Sequence, residues 1–248
     1  MKYLIVGLFA AFFLFTLTSC ESSSNEASID SQEQILVFSK TGGFRHDGSI
    51  ETGQVAFQEL GAKHNFEVTL SEDATLFNTD SLARYNAVVF LNTSGPIFND
   101  EQKAAFENYI QNGGGYLGIH AASDTEYEWP WYNSLVGAYF DGHPPVMEAV
   151  IEVVDANHPA TKNLPSQWTH IDEWYNFRSF NDDINVLLKL DTDSFEGSEH
   201  PGDHPIAWYH DYDGGRAFYT GLGHTNESFS DENFREHLRG GLKYVMGN

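Results

Sequence analysis

The sequence predicts an α/β protein built on a doubly wound, mostly parallel sheet with a strand-rich second half, and three observations lead there. Short apolar runs such as Ile35-Leu36-Val37-Phe38 and Ala87-Val88-Val89-Phe90-Leu91 lack the alternation of a half-solvated strand, which suits a parallel sheet covered on both faces. Helical patterns follow these runs in the first half, giving the strand–helix alternation of a wound sheet. After Ala122 the pattern changes to closely spaced strands with few helices, which either extend the sheet or pack as a separate lobe.

The elements follow in order. Lys2 precedes an apolar run from Leu4 to Leu17 and then Leu17-Thr18-Ser19-Cys20. The run is shorter than the roughly 20 residues a membrane span needs, so residues 1–19 read as a lipoprotein signal peptide and Cys20 as its lipidation site. Residues 20–33 are rich in Ser, Glu and Asn and read as a disordered tether, leaving 34–248 as one folded domain. The expected location is a bacterial membrane, on the periplasmic or outer-membrane face. In the domain, Ile35–Phe38 is a strand, Gly42 to Asp47 a loop, and Ile50–Leu60 a helix; strands at Phe66–Leu70 and Ala87–Leu91 follow. Asn99 caps a helix whose buried stripe is Phe106, Tyr109 and Ile110, and Gly113 ends it. Gly113-Gly114-Gly115-Tyr116-Leu117-Gly118-Ile119-His120 then carries a strand into a small-residue turn tipped by a histidine, built like a nucleophile elbow. Later strands are expected at 149–154, 168–177, 186–190, 206–209 and 216–220, and a last helix starts at Ser230 before Asp231 and Glu232.

Charge excludes one class of partner. Without the signal peptide the chain has 12 basic against 36 acidic residues, a net charge of −24, so it lacks the basic footprint that nucleic-acid binding requires. Cys20 is the sole cysteine, which leaves the domain without a thiol nucleophile.

In a wound sheet, ligands bind beyond the carboxyl ends of the strands. His46, Asn92, His120 and His224 each follow a strand there. Three neutral imidazoles at His46, His120 and His224 are suited to a divalent metal such as zinc, although no tight ligand spacing accompanies them. Asp172 and Glu173 are adjacent in a strand-like segment, so alternation turns only one inward; Glu173, with the longer reach, is the expected acid or base beside His120. His143 stands before two prolines that fix its direction, while His158-Pro159 and His204-Pro205 read as strand-entry turns. Trp174, with Trp129, Trp131 and Trp208, suits either stacking on a sugar or ordinary core packing.

Together, Gly43-Phe44-Arg45-His46-Asp47, Gly113 to Ala122, Gly142-His143-Pro144-Pro145, Asp172-Glu173-Trp174-Tyr175, His204-Pro205 through Trp208, and Gly215 to His224 resemble the ThuA-like (trehalose utilisation) family, a branch of the class I glutamine amidotransferase-like superfamily. The resemblance covers nearly all of the folded part. It implies a flavodoxin-like three-layer fold and a part in disaccharide catabolism, among enzymes that handle 3-keto-glycosides. In the amidotransferase-like folds the tip of the elbow turn is a cysteine; here it is His120, so glutamine amidotransfer is not expected. The leading expectation is a hydrolase, lyase or isomerase acting on a disaccharide, glycoside or 3-keto-glycoside. His120 and Glu173 exchange protons in it, while His46, Asn92, His143, Trp174 and His224 bind substrate, with a metal at His46, His120 and His224 as an added option. The alternatives are a carbohydrate-binding lipoprotein without catalysis, or an accessory subunit beside a partner sugar oxidoreductase.

Overall fold

The computed structural model describes residues 1–3 and 32–247, so most of the expected signal peptide and of the tether, with Cys20, lies outside the described residues. Among the described residues, no helix is long and apolar enough to cross a membrane.

The chain from Gln32 onward forms one compact unit. Its first half alternates strand and helix: β1 (Glu33–Phe38), α1 (Asp47–His64), β2 (Phe66–Ser71), the single turn α2 (Thr79–Leu82), β3 (Ala87–Leu91), α3 (Asp100–Gln111) and β4 (Gly115–Ile119). The second half holds α4 (Pro130–Val136), β5 (Tyr139–Phe140), β6 (Met147–Val153), β7 (Gln167–Asp172), β8 (Phe177–Arg178), β9 (Asn185–Leu190), β10 (His204–Tyr212), β11 (Gly215–Thr220) and α5 (Glu232–Met246). Nine strands form one sheet in the order β2-β1-β3-β4-β11-β10-β9-β6-β7. The five from β2 to β11 are parallel to one another, and the remaining four pair antiparallel. The second half thus extends the sheet, and only β5 and β8 form a separate ladder.

Helices cover both faces of the parallel half. Alternate side chains of one strand serve the two layers: Phe218 of β11 faces α5 beside His237 and Gly241, whereas Tyr219 faces the other way and stacks on Trp208. On the α3 face, Phe38, Phe77, Phe90, Phe98 and Phe106 form a continuous ring cluster. Truncating a ring as enclosed as Phe90 costs about 3–5 kcal/mol, so this cluster anchors the parallel half. Asn99 and Gln102 form a reciprocal capping box at the start of α3. The last helix is capped by Asp231, not Ser230, because the Asp231 carboxylate accepts from the Phe234 N–H. The long strand expected over 168–177 ends at Asp172; Glu173–Asn176 run outside it before β8 begins.

The antiparallel half is bent. Four strand spacings of roughly 4.8 Å would put β7 about 19 Å from β11 in a flat sheet. Instead, Asp172 at the end of β7 accepts a hydrogen bond from Gly223, just after β11, at 2.7 Å. Register shifts in the β10–β9 pair between Pro205 and Trp208 mark a bulge, and bulges bend strands and deepen their twist. Four reversals along β11-β10-β9-β6-β7 restore the direction of β7 to that of the parallel strands, so its carboxyl end opens on the same edge as theirs.

Candidate functional site

His120 occupies the left-handed region at φ +47, which costs a non-glycine residue roughly 1–2 kcal/mol. Its surroundings hold it there. Its carbonyl accepts from the Tyr219 hydroxyl at 2.8 Å and from Ser123 Oγ at 3.2 Å, and its Nδ1 lies 2.8 Å from the Gly221 carbonyl. A carbonyl only accepts, so Nδ1 carries a proton and Nε2 is the ring atom presented to the site.

His224 leaves β11 through Gly223, whose φ of +106 and close approach to Ile119 exclude a side chain. Asp172 fixes this segment by accepting from the N–H groups of Gly223, His224 and Thr225 at 2.7, 3.0 and 3.2 Å and from Ser228 Oγ at 3.0 Å. Burial pushes the Asp172 carboxyl toward its neutral form, but His170 and these backbone donors prevail and hold it below its usual pKa.

Glu173, the next residue, reaches the histidines. Its Oε2 lies 3.5 Å from His120 Nε2 and 3.2 Å from His224 Nδ1, and its Oε1 lies 3.0 Å from His143 Nδ1. Burial would raise its pKa, yet hydrogen bonds to His120 and His224 hold it well below the carboxylate range. The same contact acts on His224: burial lowers its pKa, and the Glu173 carboxylate more than offsets this, leaving it raised. His46, at the start of α1, is buried edge-on to both rings, with centroids 5.1 Å from His120 and 5.0 Å from His224. Burial, reinforced by His120 and His224, lowers its pKa to about 3, so the ring is neutral. Its Nδ1 is enclosed and has no hydrogen-bond partner among the described residues.

One potential ligand atom from each of His46, His120, Glu173 and His224 lies within 4.8 Å of all the others. Bonds of 2.0–2.1 Å at tetrahedral angles place ligand atoms about 3.3–3.4 Å apart. The separations among His120, His224 and Glu173 are 3.2, 3.3 and 3.5 Å, so three donors already stand at the spacing a zinc-sized ion needs. The residues fit such an ion.

Above this floor opens a cavity of about 320 Å³, toward the small end of the range for ligand pockets. His143, Glu173 and His224 line one part of it, and Phe44, Phe140 and Tyr175 give it aromatic walls, with Asp124 at its border. Phe44 is 70% exposed although large and apolar, and it sits on a loop tied down where the Gly42 and Gly43 N–H groups donate to the Ser94 carbonyl. A larger cavity, about 540 Å³, lies between Tyr85, Asn86, Asn108 and Tyr109 but gathers no histidine, carboxylate or cysteine.

The structure therefore brings together His46, His120, His143, Glu173 and His224, and leaves out Asn92 and Trp174. Asn92 is fully buried; it donates to Ser49 Oγ and the Gly223 carbonyl and accepts from the Ala121 N–H, tying three loops together. Trp174 is equally enclosed, donating to the Met147 carbonyl, and its neighbour Tyr175 takes the place on the cavity wall. Sequence reasoning missed Phe44, Asp124, Phe140 and Tyr175. Phe44 and Tyr175 each stand two residues from a site residue, a signal that proximity could have supplied.

The sequence profile of the ThuA family, described as trehalose utilisation, matches residues 34–245. Among solved structures, a ThuA-like protein from Bacteroides uniformis ATCC 8492 is similar at a TM-score of 0.75 and 28% identity, over 86% of this chain and 91% of its own. Another from Parabacteroides merdae ATCC 43184 is similar at a TM-score of 0.74 and 22% identity, over 87% and 90% of the two chains. PurLQS from Thermotoga maritima shares the fold alone, at a TM-score of 0.57 and 11% identity over 86% of this chain and 99% of its own. No curated protein matches the sequence.

Proposed function

The chain belongs to the ThuA family, linked to trehalose utilisation, within the glutamine amidotransferase-like superfamily, and from that premise we propose that its histidine cup is the centre of a sugar-processing enzyme. Its substrate is a disaccharide, a glycoside or the 3-keto form of one, and the cup holds a divalent ion such as zinc through His46, His120, His224 and Glu173. The convergence of these four donors within 4.8 Å carries the reading. When bound, such an ion supplies Lewis acidity toward a sugar oxygen. The protein's own groups do the rest. The Gly221 carbonyl fixes a proton on His120 Nδ1 and turns Nε2 to the cup, burial keeps His46 neutral, and His143 holds the outer oxygen of Glu173. Phe44 and Tyr175 offer ring faces to the C–H surface of a sugar.

Metal analysis of the protein purified without chelator tests this. About one ion per chain is expected, lost in His120→Ala together with turnover of trehalose or its 3-keto form while the melting temperature holds. Sub-stoichiometric metal, with no gain on adding divalent ions and unchanged turnover in the variant, sinks the metal centre.

Exposed Phe44 favours a second reading, a carbohydrate-binding protein without catalysis. Calorimetry with a disaccharide panel separates the two, since tight binding with every sugar recovered intact supports binding alone. In either case we propose attachment to a membrane through lipidated Cys20, on the periplasmic or outer-membrane face, and a partner sugar oxidoreductase that supplies the oxidised sugar. Palmitate labelling abolished by Cys20→Ala supports the anchor; an unlabelled parent protein removes it.

A further inference from the structure

Asp124 ends the short 3-10 turn that begins at His120 and borders the same cavity as Glu173. Its main chain is pinned, since its carbonyl accepts from the Gly95 N–H at 2.7 Å. Its carboxyl is pinned on one side only. Oδ1 accepts from the Tyr127 hydroxyl at 2.5 Å, whereas Oδ2 has no hydrogen-bond partner among the described residues. Tyr127 is itself held, packed 4.9 Å from the Tyr139 ring and beneath the Arg178 guanidinium at 5.1 Å. Among the described residues Asp124 makes no ion pair, and its side chain caps no helix. An aimed carboxyl with one committed and one open oxygen, beside a cavity, is the form a proton donor takes.

We propose that Asp124 is the proton donor to the departing oxygen when a glycosidic bond is cleaved in this cavity. The proposal rests on the reading of the cavity as a glycoside site. The environment of the carboxyl supports it, since burial raises the pKa of Asp124 against the opposing influence of the Tyr127 hydrogen bond and of His120. The titratable groups that act on or feel Asp124 are Tyr127 from the next loop, His120 from the start of its own turn, Tyr175 after β7 and Tyr219 of β11. None of them is a second carboxylate that would duplicate its role.

In the step, the anomeric C–O bond breaks and its electron pair goes to the aglycone oxygen, which takes the Asp124 proton and leaves as an alcohol. Water forms the new bond to the anomeric carbon and releases its extra proton to bulk solvent. Asp124 is reprotonated from that solvent, so one glycoside and one water become two hydroxyl compounds.

The test uses two substrates that share a glycone in the same oxidation state, trehalose and 4-nitrophenyl α-D-glucoside, or the 3-keto form of each. Removing a general acid costs about 10²–10⁴-fold where the leaving oxygen needs a proton. A nitrophenolate leaves without one. Asp124→Asn is therefore expected to lose that factor in kcat/KM on trehalose, and less than about tenfold on the nitrophenyl substrate. Equal losses on both, or no loss on either, overturn the assignment. If Asp124→Asn fails to fold, Asp124→Ser with added formate as the external donor replaces it, and rescue on trehalose alone is expected; no rescue overturns the proposal. Turnover of neither substrate by the unmutated protein brings down the glycoside reading and this proposal with it, a result distinct from equal losses in the variant.

Discussion

The two halves of the sheet build the site in different ways. The parallel half places its residues by repetition: β1, β3, β4 and β11 end on one edge, and His46, Asn92, His120 and His224 follow in turn, each set by the loop after its own strand. The antiparallel half contributes Glu173, by curling until the end of β7 meets the loop after β11. A row of parallel strand ends lines up imidazoles; the carboxylate that faces them needs a sheet that turns back on itself.

The curl depends on Asp172, and the largest expected effect comes from breaking it there. Five donors converge on this carboxylate, and Asp172→Asn turns one of its two oxygens into an NH2 that faces at least two of them, at a cost of about 3 kcal/mol for the groups left unsatisfied. For a domain of this size that lowers the melting temperature by about 6–12 °C. Hydrogen exchange at Gly223, His224 and Thr225 should rise above the global change. An unchanged melting temperature would mean that the halves are held together elsewhere.

The second effect is a pH dependence to which buried histidines of the antiparallel half contribute most, with His46 their counterpart in the parallel half. His204 of β10, His158 in the turn between β6 and β7, and His237, which faces that turn from α5, are each lowered by burial to about 4, from about 6.5. The unfolded chain therefore takes up protons that the folded chain refuses. The stability these groups contribute is whole above pH 6.5 and is lost as pH falls toward 4. Melting temperatures measured across that window should drop, and hydrogen exchange should rise in the β9–β10 and β6–β7 pairs and, through His46, at the loop after β1. A melting temperature that stays flat between about pH 6.5 and 4 would contradict this.

The smallest effect is at Trp174. Trp174→Phe loses the hydrogen bond to the Met147 carbonyl, worth about 1 kcal/mol, and should change sugar affinity less than twofold by calorimetry. A large loss of affinity would return Trp174 to the binding surface.

The parallel half was largely legible because each apolar run is followed by its own loop, so strand, turn and site residue sit together in the sequence. His120 was readable from the glycines before it, although its left-handed backbone was not. The antiparallel half was less legible because its order depends on pairings between distant segments and on a bulge near Ile206 that Pro205 alone hints at. Strand parity could not place Glu173, since the strand ends one residue before it and the loop sets its direction. The same break explains why Tyr175 and not Trp174 reaches the cavity. Asp124 reads in sequence as an ordinary turn residue, and only the return of the chain past Tyr127 gives it a role.

Because the open sheet curls, the first and last members of the cup, His46 and His224, are 178 positions apart in the chain, and Glu173 follows the far edge strand. No short contiguous fragment of the fold contains the centre. It forms only when the last strand of the parallel half and the far edge strand have both docked. During synthesis the cup is therefore absent until folding is almost finished. A break between β4 and β7 that leaves both pieces associated would preserve the cup, whereas separating them would erase it in one step.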